Sequence, residues 1–144
     1  MRRREFITLL GGAAAWPLGA HAQQGVGPSQ SATAPLVGFL NSASPDTYRF
    51  NADSFREGLA QAGFVEGRNV RIEYRWGAGD SDRMRAYAAE LVALKSDVIL
   101  VNNALALLPL KQATSTIPIV FTSIYDPVGS GFVESLAQPG GNVT

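Results

Sequence analysis

Six side chains with hydrogen-bonding chemistry fall in three short polar stretches, each directly after an apolar run. Asn41 and Ser42 follow Leu36-Val37-Gly38-Phe39-Leu40. Asn102 and Asn103 follow Asp97-Val98-Ile99-Leu100-Val101, and Ser123 and Asp126 follow Ile117-Pro118-Ile119-Val120-Phe121. Amides and hydroxyls of this kind donate to, and accept from, a carboxylate or an amide. Asn103 opens a stretch of helical character, and the free N–H groups of a helix start favour an anionic group. A carboxylate at Asp126 suits an ammonium. The set fits the gripping of a small polar molecule, yet each member also has a local use. Asn41 and Ser42 sit in a turn with Pro45 and Asp46. Asn103 reads equally as a plain helix cap. Asp126 precedes Pro127, a good first helical residue, and reads also as the cap of a short helix. Tyr48 and Tyr125 are candidate aromatic walls, and Tyr87 reads as core.

The missing residue types bound the chemistry further. There is no cysteine, and the one histidine, His21, lies in the N-terminal leader. Once that leader is removed, a His-based triad, a His-metal centre, a thiolate site and a disulfide are all excluded. Glu66, Glu73, Asp80, Asp82 and Glu90 are scattered rather than paired, and read as solvated surface. Neither G-x-G-x-x-G nor G-x-x-x-x-G-K-[ST] occurs, so a nucleotide site has no motif behind it. The expectation is a protein with no catalytic residues, no metal and no cofactor. Twelve basic and twelve acidic residues cancel, but three of the basic ones are Arg2-Arg3-Arg4. The remainder is mildly acidic, which argues against nucleic acid as a partner.

The leader itself is informative. Arg2-Arg3-Arg4 is followed by a small and apolar run from Ile7 to Ala20, then by Ala20-His21-Ala22, a small-x-small cleavage pattern. Arg3-Arg4-Glu5-Phe6-Ile7 adds the paired arginines of twin-arginine export. Residues 1–22 are therefore expected to be a twin-arginine signal peptide cleaved after Ala22, with the twin-arginine translocase as export partner and the periplasm as destination. The apolar run is shorter than the roughly 20 residues that span a bilayer. Residues 23–35, rich in Gln, Gly, Ser, Ala and Pro, read as a flexible leader to the fold.

From Leu36 onwards the elements alternate. Leu36–Leu40 reads as a strand buried on both faces. A helix follows, capped by Ser44 or Asp46, with Ala52, Phe55, Leu59 and Ala62 on one stripe and Gly63 as its stop. Val70–Trp76 alternates apolar with charged and reads as a half-exposed strand at a sheet edge. A helix with Met84, Tyr87, Ala88, Leu91 and Val92, a strand at Asp97–Val101, a helix to about Thr114 and a strand at Ile117–Phe121 complete the pattern. Phe132–Ala137 reads as a short helical piece, and Val143-Thr144 as the start of a fifth strand. Such alternation predicts a parallel sheet with right-handed crossovers and helices on both faces, an α/β/α sandwich. Ligands of these sheets sit beyond the carboxyl ends of the strands, which is where the three polar stretches fall.

Phe39-Leu40-Asn41-Ser42-Ala43-Ser44-Pro45, Gly67-Arg68-Asn69-Val70 with Glu73-Tyr74-Arg75-Trp76, Ile117-Pro118-Ile119-Val120-Phe121 with Asp126-Pro127-Val128-Gly129, and Pro139-Gly140-Gly141-Asn142-Val143-Thr144 resemble the periplasmic substrate-binding proteins of ABC transporters, in the group that carries the ABC-substrate-binding-protein domain. The leader resembles that of its twin-arginine members. The resemblance implies two α/β lobes around a ligand cleft, about twice this length, and an ABC permease as membrane partner. It implies that residues 36–144 are most of the N-terminal lobe, without the second, and that the chain is truncated. Some members bind aromatic amino acids. Trp76 then either reaches the other lobe or shields the sheet edge. The competing readings are an exported hydrolase-like α/β enzyme, which would need a nucleophile and base, and a ligand-sensing domain of the same architecture.

Overall fold

The computed structural model describes residues 33–144. The expected signal peptide, and the expected leader as far as Ala32, lie outside the described residues. β1 (Leu36–Asn41), β2 (Arg71–Trp76), β3 (Val98–Val101) and β4 (Ile119–Phe121) form one parallel sheet in the order β2-β1-β3-β4. Between them run α1 (Pro45–Gln61), α2 (Ser81–Ala93) and α3 (Ala104–Ala113). The chain steps outward from β1 to β2 and then crosses back over β1 to β3. The carboxyl ends of β1, β3 and β4 thereby lie side by side.

All six residues of β1 are buried. Strand alternation sends Phe39 towards α1, where its ring lies 5.6 Å from Phe55. It sends Gly38 and Leu40 towards α2 and the main core. That core joins Leu40, Met84, Leu91, Ile99, Leu107, Leu110 and Ile119, each 1% exposed or less. A fully buried aliphatic side chain of this size contributes about 1.5–3 kcal/mol. The two faces are covered unequally. α2 and α3 lie on the main core, whereas Ala52 is the one buried residue of α1.

The helix ends follow the residue chemistry. α1 begins with Pro45 in its first turn, and Asp46 lies in that turn without capping it. Ser44 holds the N-cap position, but its hydroxyl bonds Thr47 Oγ1 at 2.8 Å rather than a backbone N–H. Gly63 at φ +91° ends the helix in a conformation that favours glycine. α2 is capped by Asp80, whose Oδ1 accepts from the N–H groups of Asp82 (2.9 Å) and Arg83 (3.0 Å).

Two expectations change in detail. β4 starts at Ile119, not Ile117, because Pro118 has no N–H to enter the ladder. The Ile117 carbonyl is taken instead by Asn142 Nδ2 at 2.8 Å. Phe132–Ala137 is not helical but a succession of turns. Phe132 N–H turns back to Pro127 O at 2.9 Å, and Gln138 N–H donates to Ser135 Oγ at 2.9 Å. The local bonds that serine offers compete with helix, and the segment between Gly131 and Pro139 is too short to nucleate one. Val143 pairs in parallel with Ile119, as the first residues of a fifth strand would.

Glycines 38 and 58 give a paired test. A Cβ on Gly38 would stand 3.1 Å from Ile99 Cγ1 and 3.2 Å from Leu91 Cδ1, whereas one on Gly58 meets nothing within 4 Å. Gly38→Val is expected to lower stability by about 1–3 kcal/mol through overpacking. Gly58→Ala, in mid-helix, is expected to raise it by about 0.5–1 kcal/mol. Urea midpoints of the two variants check both, and equal shifts would contradict this account of the interior.

Candidate functional site

The first two polar stretches are tied into one cluster by their own hydrogen bonds. Ser42 N–H donates to Asn102 Oδ1 at 3.2 Å, and Asn103 Nδ2 donates to Ser42 Oγ. Asn103 Oδ1 also accepts from Ala106 N–H at 3.1 Å, so this residue caps α3 while it holds the neighbouring loop. The cap expected for Asn103 is thus present, together with a tie to Ser42 that the sequence did not suggest. Asn41 is 0% exposed and its Oδ1 accepts from Ala43 N–H at 2.8 Å. Its Nδ2 is buried without a protein partner. An unpaired buried amide costs about 1–3 kcal/mol, so such groups call for an acceptor from outside the protein.

A third segment underpins these loops. Between β2 and α2, the N–H groups of Gly77, Ala78 and Gly79 donate to the carbonyls of Asn41 (2.8 Å), Ala43 (3.2 Å) and Ser42 (2.7 Å). Gly77 has room for no side chain, since a Cβ there would fall on Met84. The β1–α1 loop is therefore fixed from both sides, by β3–α3 side chains and by β2–α2 backbone.

The β4 loop stands differently. Ser123 and Asp126 both adopt left-handed backbone, at φ 54° and 44°. For residues other than glycine this costs on the order of 1 kcal/mol or more and recurs at functional sites. Asp126 Oδ1 accepts from Gly129 N–H at 2.9 Å, and Ser130 N–H donates to Asp126 O at 3.0 Å. Asp126 thus closes a turn. No helix begins at Pro127, which corrects the helix-cap reading.

A pocket of about 350 Å³ runs from this end of the sheet down beside α1. Its aromatic lining is Phe39, Tyr48 and Phe55, and its polar lining includes Asn102 and Ser123. Asn41 lies two residues along β1 from Phe39 and so on the same sheet face. Asp126 does not line this pocket, and Tyr125 is 96% exposed. Sequence reasoning missed Asn51, Ser54 and Thr122, which complete the polar lining. The signal for Asn51 was present, since Tyr48, Asn51 and Phe55 recur at helical spacing on one face of α1. Among the described residues no group of three or more His, Cys, Asp or Glu side chains is placed to hold a metal.

Beside β2, a second pocket of about 250 Å³ is lined by Pro45, Arg49, Asp53, Arg56, Tyr74 and Trp76. Burial, followed by the charge of Glu66, pushes the Tyr74 hydroxyl up to about 12. It stays protonated at neutral pH and donates to Glu66 Oε2 at 3.4 Å. A hydrogen bond to Asp53 raises the Arg56 guanidinium, and one to Glu90 raises that of Arg75.

Two measurements test how the loops are held. Asn103→Ala is expected to cost about 1 kcal/mol through the lost α3 cap, and amide exchange in the β1–α1 loop should quicken with it. If that loop's exchange is unchanged, the tie to Ser42 does not hold it. The Asp80 carboxyl is kept below its ordinary 3.8 by the N–H groups of Arg83 and then Asp82. A depressed folded value gives stabilisation that is fully present above 3.8 and lost as pH falls through the lower folded value. Asp80→Asn caps without titrating. The stability difference between the two proteins should therefore shrink as acid is added, and parallel curves would refute the assignment.

Residues 37–144 match the sequence model of the family described as ABC transporter substrate binding protein. A tyrosine-binding protein of Clostridioides difficile (strain R20291) is 33% identical over 90 residues, which are 62% of this chain and 26% of the relative. Among solved structures, a conserved domain protein from Vibrio cholerae superposes with a TM-score of 0.72 at 31% identity, over 78% of this chain and 38% of the other. An ABC domain in complex with L-Trp from Streptococcus pneumonia gives 0.71 at 28% identity, over 78% and 38%. The ligand-free, open structure of a substrate binding protein with adhesive properties from Clostridium difficile gives 0.71 at 26% identity, over 76% and 37%. The chain spans about a quarter of the curated relative and less than two fifths of these solved chains.

Proposed function

Since the chain belongs to the family of ABC transporter substrate binding proteins, we propose that residues 36–144 supply one lobe of a periplasmic receptor that delivers an aromatic amino acid to an ABC permease. Members of this family bind small molecules rather than transform them, and the lobe described here holds its ligand without chemistry. The observation that carries the reading is the pairing of an aromatic-lined pocket with a buried, unpartnered amide at Asn41 on the same sheet face. Phe39, Tyr48 and Phe55 offer the apolar contact that an aromatic side chain needs. Asn41 Nδ2, the Ser42 hydroxyl, Asn102 and the α3 start at Asn103 offer donors for the α-carboxylate. Ser123 adds a hydroxyl at the pocket, whereas the Asp126 carboxylate is turned into its own loop and does not line it. The relatives named for tyrosine and bound to L-Trp support this ligand class.

The receptor reaches the periplasm through the twin-arginine translocase, with cleavage after Ala22, and closes a second lobe over the ligand. Closure of two lobes buries most of a small ligand, a contact that one face alone does not give.

Purification of the full-length protein from the periplasmic fraction, followed by titration with L-tyrosine, L-tryptophan and L-phenylalanine against L-aspartate and L-lysine, tests the reading. A ligand at about 100 times its Kd should add roughly 2.7 kcal/mol of stability, read as a raised melting temperature. Asn41→Ala should weaken binding about tenfold, the value of one well-made hydrogen bond to a charged group. Failure of every aromatic amino acid to stabilise the protein would sink the ligand class, and absence from the periplasm would sink the location.

A further inference from the structure

β2 is the free edge of the sheet among the described residues. It pairs with β1 along all six positions from Arg71 to Trp76, and no described strand lies on its other side. Arg71 N–H donates to Pro35 O at 2.9 Å and Gly77 N–H to Asn41 O at 2.8 Å. The backbone groups of the odd-numbered residues therefore turn inward to β1. Those of Ile72, Tyr74 and Trp76 turn outward with no strand to meet them. Edge strands are usually blunted by a proline, a bulge or charged side chains, lysine above all. β2 has no proline and no lysine, and its register with β1 is unbroken. Its charges alternate in sign, as Arg71, Glu73 and Arg75 on the α2 face.

We propose that a second copy of this chain pairs antiparallel with β2 about a two-fold axis at Tyr74, joining the two sheets into one. In this register Tyr74 lies opposite the partner's Tyr74, and Ile72 lies opposite the partner's Trp76. All three outward backbone pairs are hydrogen-bonded positions. Glu73 then falls opposite the partner's Arg75, twice, at the closely spaced positions that carry no backbone bonds and bring side chains nearest. Moving the axis one residue to Glu73 sets Glu73 on Glu73 and Arg71 on Arg75. Moving it to Arg75 sets Arg75 on Arg75. Charge thus selects the Tyr74 register over both of its neighbours. Within one chain Arg75 is held by its own neighbours, Nη1 lying 3.1 Å from Glu73 Oε2 and Nε 2.8 Å from Glu90 Oε2. Nη1 also donates to Tyr74 O at 2.9 Å, a bond that pairing exchanges for the N–H of the partner's Tyr74. On the opposite face, Tyr74 and Trp76 stack with their planes 4° apart, and the pairing extends that aromatic row across the axis. Antiparallel pairing sends the carboxyl ends of the two sheets in opposite directions. Both candidate ligand sites stay open, one at each end of the dimer.

Sedimentation equilibrium of the full chain is the test. A reversible dimer is expected, with a dissociation constant that weakens as salt is added. Glu73→Arg turns both cross-pairs into Arg on Arg and should weaken the dimer roughly tenfold or more. The double change Glu73→Arg with Arg75→Glu reverses both cross-pairs, keeps them complementary and should restore association. Glu73→Gln removes the charge at a position 41% exposed, which keeps folding out of the comparison, and should give an intermediate weakening. Far-UV circular dichroism confirms that each variant is folded. A chain that stays monomeric at every soluble concentration overturns the proposal. So does a dimer indifferent to Glu73→Arg, or one that the double change leaves as weak as the single.

Discussion

The pairing of β1 on both of its edges is the interaction on which the rest of the molecule leans. β2 bonds to one side of it and β3 to the other, and helices cover both faces. A strand in that position has no solvent-facing residue, which is why Leu36–Asn41 is apolar up to its last member. Gly38 follows from the same constraint, since Leu91 of α2 and Ile99 of β3 approach so closely that a Cβ would crowd them. The one polar side chain that β1 carries, Asn41, sits where the strand leaves the sheet. Its burial there is a consequence of how tightly the strand is enclosed.

The loops at that end show how the fold turns sequence neighbours into a common surface. Ser42 and Asn102 are 60 residues apart in the chain yet share a hydrogen bond, because the crossover through β2 sets β3 directly beside β1. The bonds within this cluster use up part of each side chain and leave the rest directed. Asn103 spends its carbonyl oxygen on α3 and its amide on Ser42. The left-handed backbone of Ser123 and Asp126 is a further local cost that the packed sheet beneath must sustain.

Much of this was legible in the sequence, for identifiable reasons. The strands and helices were visible because apolar period is a direct image of which face is buried, and the edge position of β2 could be read from Arg71, Glu73 and Arg75 alternating with Ile72, Tyr74 and Trp76. The gathering of Asn41, Ser42, Asn102 and Asn103 followed from the rule for parallel sheets. What could not be read was set by competition between local bonds. The helix expected at Phe132–Ala137 lost to serine side-chain bonds and to the turn held by Asp126. Asn51, Ser54 and Thr122 were missed because a polar residue beside a pocket has the same sequence appearance as one facing water. The unpartnered amide of Asn41 is likewise a property of its enclosure, which no spacing reveals.

The unequal covering of the two sheet faces sets where the molecule comes apart first. α2 and α3 are anchored by Met84, Leu91, Leu107 and Leu110, so releasing them exposes the main core. Of α1 only Ala52 is buried, with Phe55 and Leu59 half-buried. Of the three helices it is therefore the one least anchored against local opening. Tyr48 and Asn51 ride on that same helix. Whatever fills the pocket beside them ties down the least anchored of the three helices, so occupancy of the site and cohesion of α1 are two readings of one equilibrium.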